Sequence, residues 1–158
     1  MAGSERSGIA AACRTLFEDA VCLVTRTPRT DPAALRKISS LWRAVGGRIV
    51  TLSPQSHDRF VAQVSHAPHL AAVGLVLACE PSALKFAAGG FSDMTRIALS
   101  DPSMWRGICA TNRRNITRAL LGYERELAIL KSLLGRGKFA ALLKKFQTAQ
   151  RKRQRICR

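Results

Sequence analysis

Two short runs rich in β-branched residues, Ala20-Val21-Cys22-Leu23-Val24-Thr25 and Arg48-Ile49-Val50-Thr51-Leu52, predict strands. Between them apolar residues fall at helical spacing: Leu35, Ile38, Leu41, Trp42 and Val45. Asp31 is a natural N-cap, Pro32 suits the first helical position, and Gly46-Gly47 ends the helix. The pattern therefore predicts a strand-helix-strand unit with parallel strands. Two parallel strands need cover on both faces and more neighbours than this chain supplies, so the rest of the sheet is expected outside it.

From Ser53 onward the period changes from two to 3.6. Ser53-Pro54 starts a helix that carries Phe60, Val61, Val64, Leu70, Val73, Val76 and Leu77 inward. Pro68 interrupts it, which predicts a kink or a meeting of two helices beside His66 and His69. Those histidines stand about 60° apart on an ideal wheel, near enough to face one cavity. Pro81 opens a short helix that Gly89-Gly90 breaks, and Ser100-Asp101-Pro102 caps the next. That one reads as a single helix over 102–134, with Ile116, Leu120, Tyr123, Leu127, Leu130 and Leu134 at heptad spacing. Such a narrow seam fits a long antiparallel neighbour or a symmetry mate. Gly135 and Gly137 stop it, and a basic amphipathic helix with Phe139, Leu142, Leu143 and Phe146 on one side follows. The class is mainly α.

Charge adds a direction. The 158 residues carry 26 Lys and Arg against 10 Asp and Glu, a net +16, which favours anionic partners of some kind. No acidic residue follows Glu126. The five cysteines, at 13, 22, 79, 109 and 157, form neither a CxxC pair nor a cluster with histidine, so neither a disulfide framework nor a metal site is indicated. No long apolar segment follows the first residues, so no secretory signal is expected, and a reducing cytoplasm fits the cysteines. The longest apolar run, Phe60 to Cys79, is broken by Gln63, Ser65, His66, Pro68 and His69; it reads as buried in protein, with no membrane partner.

Two stretches place ionisable groups among apolar neighbours: Ser65-His66-Ala67-Pro68-His69 and Gly89-Gly90-Phe91-Ser92-Asp93-Met94-Thr95-Arg96. Burying such groups costs several kcal/mol unless each finds a hydrogen bond or counter-ion. Together they suggest a pocket for an acid. Read from spacing alone, Arg96 pairs with Asp93 three residues earlier on the same helical face.

Across nearly its whole length the chain resembles the carboxyl-terminal part of the prephenate and arogenate dehydrogenases. The matching text comprises Met1-Ala2-Gly3-Ser4-Glu5-Arg6-Ser7-Gly8, Ser53-Pro54 with His57-Asp58, Val64-Ser65-His66-Ala67-Pro68-His69, and Ala88 through Ala98 running into Ser100-Asp101-Pro102 and Trp105. The resemblance implies a helical dimerisation bundle preceded by a small βαβ remnant of a Rossmann-type sheet. It places the end of a nucleotide-binding domain at 1–52, the helical dimerisation and substrate domain at 53–150 and a basic tail at 151–158. The implied reaction is oxidative decarboxylation of prephenate to 4-hydroxyphenylpyruvate in tyrosine biosynthesis, with NAD or NADP held by a domain upstream of Met1. The family's base, a histidine, also lies upstream, so no catalytic residue is expected here and the chain alone is expected to be inactive.

By the same resemblance Ser4, His57, His66, His69 and Arg96 contact substrate, while Glu5, Asp93 and Trp105 form a gate at the pocket mouth. Read without it, Ser4 is a helix N-cap, the histidines are satisfied core groups and Trp105 is bundle packing. Prephenate or arogenate, tyrosine as inhibitor and a second copy of the chain are the implied partners. Three features depart from the family: Arg26 in the loop after the first strand, a short segment between Glu80 and Phe86, and the arginine-rich end. A noncatalytic tyrosine-binding dimer is the alternative reading. A nucleic-acid-binding protein ranks last, since it rests on the tail alone.

Overall fold

The computed structural model describes residues 8, 9 and 12–156. Ser4 and Glu5 lie outside the described residues. Strands β1 (Val21–Thr25) and β2 (Arg48–Leu52) pair in parallel, Val21 opposite Arg48 and Thr25 opposite Leu52, as a two-stranded sheet. Helix α1 (Pro32–Ala44) connects them, and the Asp31 carboxylate accepts the Ala33 N–H at 2.8 Å as its cap. The return to β2 is tight. Gly46 sits at φ +89°, and a Cβ on Gly47 would stand 2.9 Å from the Trp42 carbonyl oxygen, so both positions require glycine. Trp42 meets Phe17 edge to face at 5.2 Å.

The α1 stripe divides in a way its spacing did not specify. Leu35, Ser39 and Trp42 turn inward, whereas Ile38, Leu41 and Val45 form a second apolar line that is exposed.

Helix α2 (Pro54–Val61) is capped by the Ser53 hydroxyl, which accepts the Ser56 N–H at 3.1 Å. It runs without a break into a π-helical segment, Ala62–His66, and on into α3 (Ala67–Ala78). This is how the chain meets the demand of Pro68. Proline has no N–H to give an α-helical bond, and widening the preceding turn, with Ala67 donating to the Ala62 carbonyl, accommodates the ring within one long helix. By length and composition alone Pro54–Ala78 is apolar enough to cross a membrane, but Val61, Ala62, Ala67, His69 and Ala72 within it are buried in protein. Phe60, Val64 and Leu77, expected inside, are exposed; the buried line is instead built mostly of small residues.

Short helices α4 (Pro81–Leu84) and α5 (Gly89–Thr95) follow, the second opening on the glycine pair that was expected only to interrupt. A 3-10 turn, Arg96–Leu99, continues α5, and both pack against α3. The helix expected over 102–134 is two: α6 (Pro102–Thr111), capped by Asp101, and α7 (Arg113–Gly135). The join is Asn112, whose backbone leaves helical geometry at φ −116°, ψ 24°.

Contacts divide the chain into a unit ending at Ile116 and a second beginning at Thr117. The first contains the buried residues Val61, Ala62, Ala67, Ala72 and Ile116, together with the buried polar groups Ser39, His69, Thr95 and Asn112. The second comprises the remainder of α7 and helix α8 (Phe139–Gln154). A glycine cap ends α7: Gly137, at φ +61°, donates to Leu134 O, and Lys138 donates to Leu133 O. The Lys145 ammonium meets Glu126 at 2.8 Å.

Candidate active-site pocket

The widened turn sets the site. It carries His66 at its end and leads into His69 one turn later, so both imidazoles reach Trp105 of α6. His69 stacks on the indole, with ring centroids 3.4 Å apart and planes inclined by 9°. His66 meets the same indole edge-on at 5.9 Å. His69 is 4% exposed, and neither its Nδ1 nor the Trp105 Nε1 has a hydrogen-bond partner among the described residues. Buried polar atoms are rarely left so, and such pairs mark places where a ligand or water completes the bonding.

One helical turn before the π segment, His57 Nδ1 lies 3.0 Å from Asp58 Oδ1. His57 and His66, with Val61 between them, line one wall of a cavity of about 360 Å³. Phe17, Val21, Leu23 and Trp42 line the wall formed by the strand-helix-strand unit. The space is apolar with imidazoles on one side, the composition expected of a site for a small organic molecule.

Burial lowers the pKa of His66, and the neighbouring His57 adds to the effect while Asp58 opposes it. Burial alone lowers that of His69. Near neutral pH both rings are therefore uncharged, donors and acceptors of hydrogen bonds rather than cations. A fixed positive charge for an acid has to come from elsewhere. Arg96 opens the 3-10 turn that packs on α3, and Asp93 lies three residues before it; both are exposed.

Of the residues expected from sequence, the structure thus assembles His66, His69 and Trp105, brings His57 onto the cavity beside His66, and sets Arg96 and Asp93 on an element that packs against the histidine-bearing helix. It also adds Asn112, which sequence reasoning passed over. Its amide nitrogen stands 2.8 Å from the Asp58 carbonyl oxygen and 3.3 Å from His66 Nδ1, and its oxygen accepts from Asn115 Nδ2 at 2.8 Å. The available signal was weak: asparagine is a poor interior helix residue and a frequent cap.

The described residues do not fit a dinucleotide. At the turn from β1 into α1, where an open helix amino end would receive a pyrophosphate, the Asp31 carboxylate occupies the free N–H and would repel phosphate. The sequence contains no GxGxxG turn.

A parallel strand-helix-strand unit faces helices across an apolar, imidazole-lined cavity, an α/β element joined to a helical domain. Residues 53–148 match the prephenate dehydrogenase dimerization domain, and residues 1–51 the prephenate dehydrogenase nucleotide-binding domain. The chain belongs to the prephenate dehydrogenase family.

Prephenate dehydrogenase of Bacillus subtilis is 36% identical over 156 residues, covering 95% of this chain and 42% of that protein. Cyclohexadienyl dehydrogenase of Zymomonas mobilis is 31% identical, covering 97% of this chain and 55% of its own length. Prephenate dehydrogenase of Aquifex aeolicus, in complex with hydroxyphenyl propionate and NAD+, superposes with a TM-score of 0.87 at 36% identity, over 98% of this chain and 56% of that one. The chain spans about half the length of the relatives it matches.

Proposed function

We propose that this chain forms the substrate-holding and dimerising part of a cytoplasmic prephenate or arogenate dehydrogenase, which converts prephenate to 4-hydroxyphenylpyruvate with NAD or NADP bound by residues outside it. The observation that carries this reading is the cluster of two neutral imidazoles on Trp105, one of them bordering an apolar cavity. In this reading the sheet side, 1–52, closes the cavity, 53–150 holds substrate and joins a second copy, and 151–158 is an appended basic tail.

The chemistry required of these side chains is positioning. A ring bearing two acidic groups needs cationic and neutral donors at its carboxylates, an apolar wall at its face and exclusion of water. The Arg96 guanidinium is always charged and supplies the planar fork for one carboxylate, with Asp93 and Glu5 tuning its position at the mouth. His66 and His69 supply neutral hydrogen bonds, His57 an imidazole held beside Asp58, Ser4 a hydroxyl, and Trp105 the aromatic edge. Proton removal from the substrate hydroxyl is assigned to the histidine that the family resemblance places upstream, so none of these residues is a base. Tyrosine, which shares the ring and carboxylate, would compete for the same groups as an inhibitor.

Calorimetric titration with prephenate tests this, using the chain reconstituted with a nucleotide-binding domain of a relative. Losing the charged partner of a carboxylate costs ~2–5 kcal/mol, so Arg96→Ala is expected to weaken binding by roughly thirty- to several-thousand-fold. An affinity that stays within about twofold would remove Arg96 from the site.

A further inference from the structure

We propose that Asn112 is a positioning residue that holds His66 as its Nε2–H tautomer, so that the ring offers the cavity a neutral hydrogen-bond donor. The bonding pattern around the Asn112 amide admits one arrangement. The Asp58 carbonyl oxygen, 2.8 Å away, can only accept, so the amide nitrogen must face it. The opposite face agrees, since Asn112 Oδ1 receives Asn115 Nδ2 at 2.8 Å. The same NH2 group lies 3.3 Å from His66 Nδ1. An amide nitrogen has no lone pair to offer, so its second hydrogen requires that Nδ1 be the acceptor. In a neutral imidazole the proton is then on Nε2, the ring's other nitrogen.

Asn112 is 8% exposed, so water competes little for these bonds. Its location explains the break between α6 and α7: the side chain spans to a carbonyl 54 residues away, and the backbone leaves helical geometry to let it. Burial first and the neighbouring His57 second keep the His66 ring neutral, with Asp58 the acidic group that opposes them, so the single ring proton is free to sit on the nitrogen the amide leaves to it. Use of the Nε2–H toward a substrate carboxylate or keto oxygen rests on the function proposed above, whereas the tautomer does not.

Nitrogen-15 spectra of the imidazoles in the intact chain, at about pH 8 and above the ordinary histidine range, read the tautomer directly. The expected result is a protonated-type Nε2 and an unprotonated-type Nδ1 for His66. Asn112→Asp exchanges the donor for an acceptor and should reverse the two signals. Asn112→Leu, which removes the contact, should give a mixture. A wild-type ring with its proton on Nδ1 would overturn the proposal without any variant, and so would a tautomer ratio unmoved in Asn112→Leu. Hydroxyphenyl propionate added to the wild-type sample should shift the Nε2 resonance. An unmoved resonance with the tautomer intact counts against the ligand reading alone.

Discussion

Up to Ile116 the chain buries side chains, polar ones among them. Val61, Ala62, Ala67 and Ala72 are buried along the long helix, and His69 and Asn112 are buried polar groups of the candidate site. From Thr117 onward no described residue is buried, and Leu134, Phe139 and Phe146 are between 57% and 65% exposed. Charge differs as well: residues 117–158 contain twelve Lys and Arg against two Glu, whereas the first 116 contain fourteen against eight acidic residues. Helices of such length with an unfilled apolar line are not stabilised by propensity alone. The first unit is organised by its own contacts, and the second leaves an apolar line exposed; the proposed second copy of this chain is what would cover it.

The contrast can be broken most sharply at the seam. Leu127→Glu places a charge on the heptad line of α7 and is expected to weaken association by roughly thirty- to a thousand-fold, as loss of an interface anchor does. Sedimentation is expected to show a dimer for the parent and a monomer for the variant at the same concentration; an unchanged assembly would place the interface elsewhere, and a monomeric parent would remove the proposed dimer. In the first unit, Ile116→Ala truncates a side chain that is 4% exposed and should cost ~2–5 kcal/mol of unfolding free energy in denaturant titration. A loss below about 1 kcal/mol would mean that this core is as thin as the second unit's.

Acidification probes the same unit through His66 and His69. Their folded pKa values lie below the unfolded value near 6.5, so between the two the unfolded chain binds more protons. Stability is full above about pH 6.5 and falls as pH drops through the lowered values. Thermal midpoints should therefore be lower at about pH 5 than at about pH 8, with the difference reduced in His69→Gln. The smallest effect is expected in the second unit: Lys145→Ala removes an exposed ion pair with Glu126 and should leave the thermal midpoint within experimental scatter.

Much of the architecture could be read from the residues. Asp31-Pro32, Ser53-Pro54 and Asp101-Pro102 each start a helix, because the cap and the fixed proline φ act locally. The pairing of His66 with His69 followed from helical spacing. What could not be read depends on distant partners. Asn112 sits in the polar run Thr111 to Asn115, which an exposed helix surface would also carry, and its bond to the Asp58 carbonyl, far away in the chain, marks it as a joint. Likewise Ile38, Leu41 and Val45 have the same spacing as a buried line, and nothing local decides which of two apolar lines meets the sheet. Proline at position 68 signalled a disturbance without specifying whether the helix would bend or unwind.

The unwinding has a consequence for how this segment tolerates change in length. Five residues at the wider pitch amount to a surplus residue stored inside the helix, so deleting one between Ala62 and His66 would restore ordinary winding without breaking the rod. The wider turn closes over five residues where an ordinary one closes over four, so the helix on either side would keep nearly its relative rotation and His57 would stay on the wall it shares with His66. Pro68 sets the cost of that change, because its ring would again meet an ordinary turn.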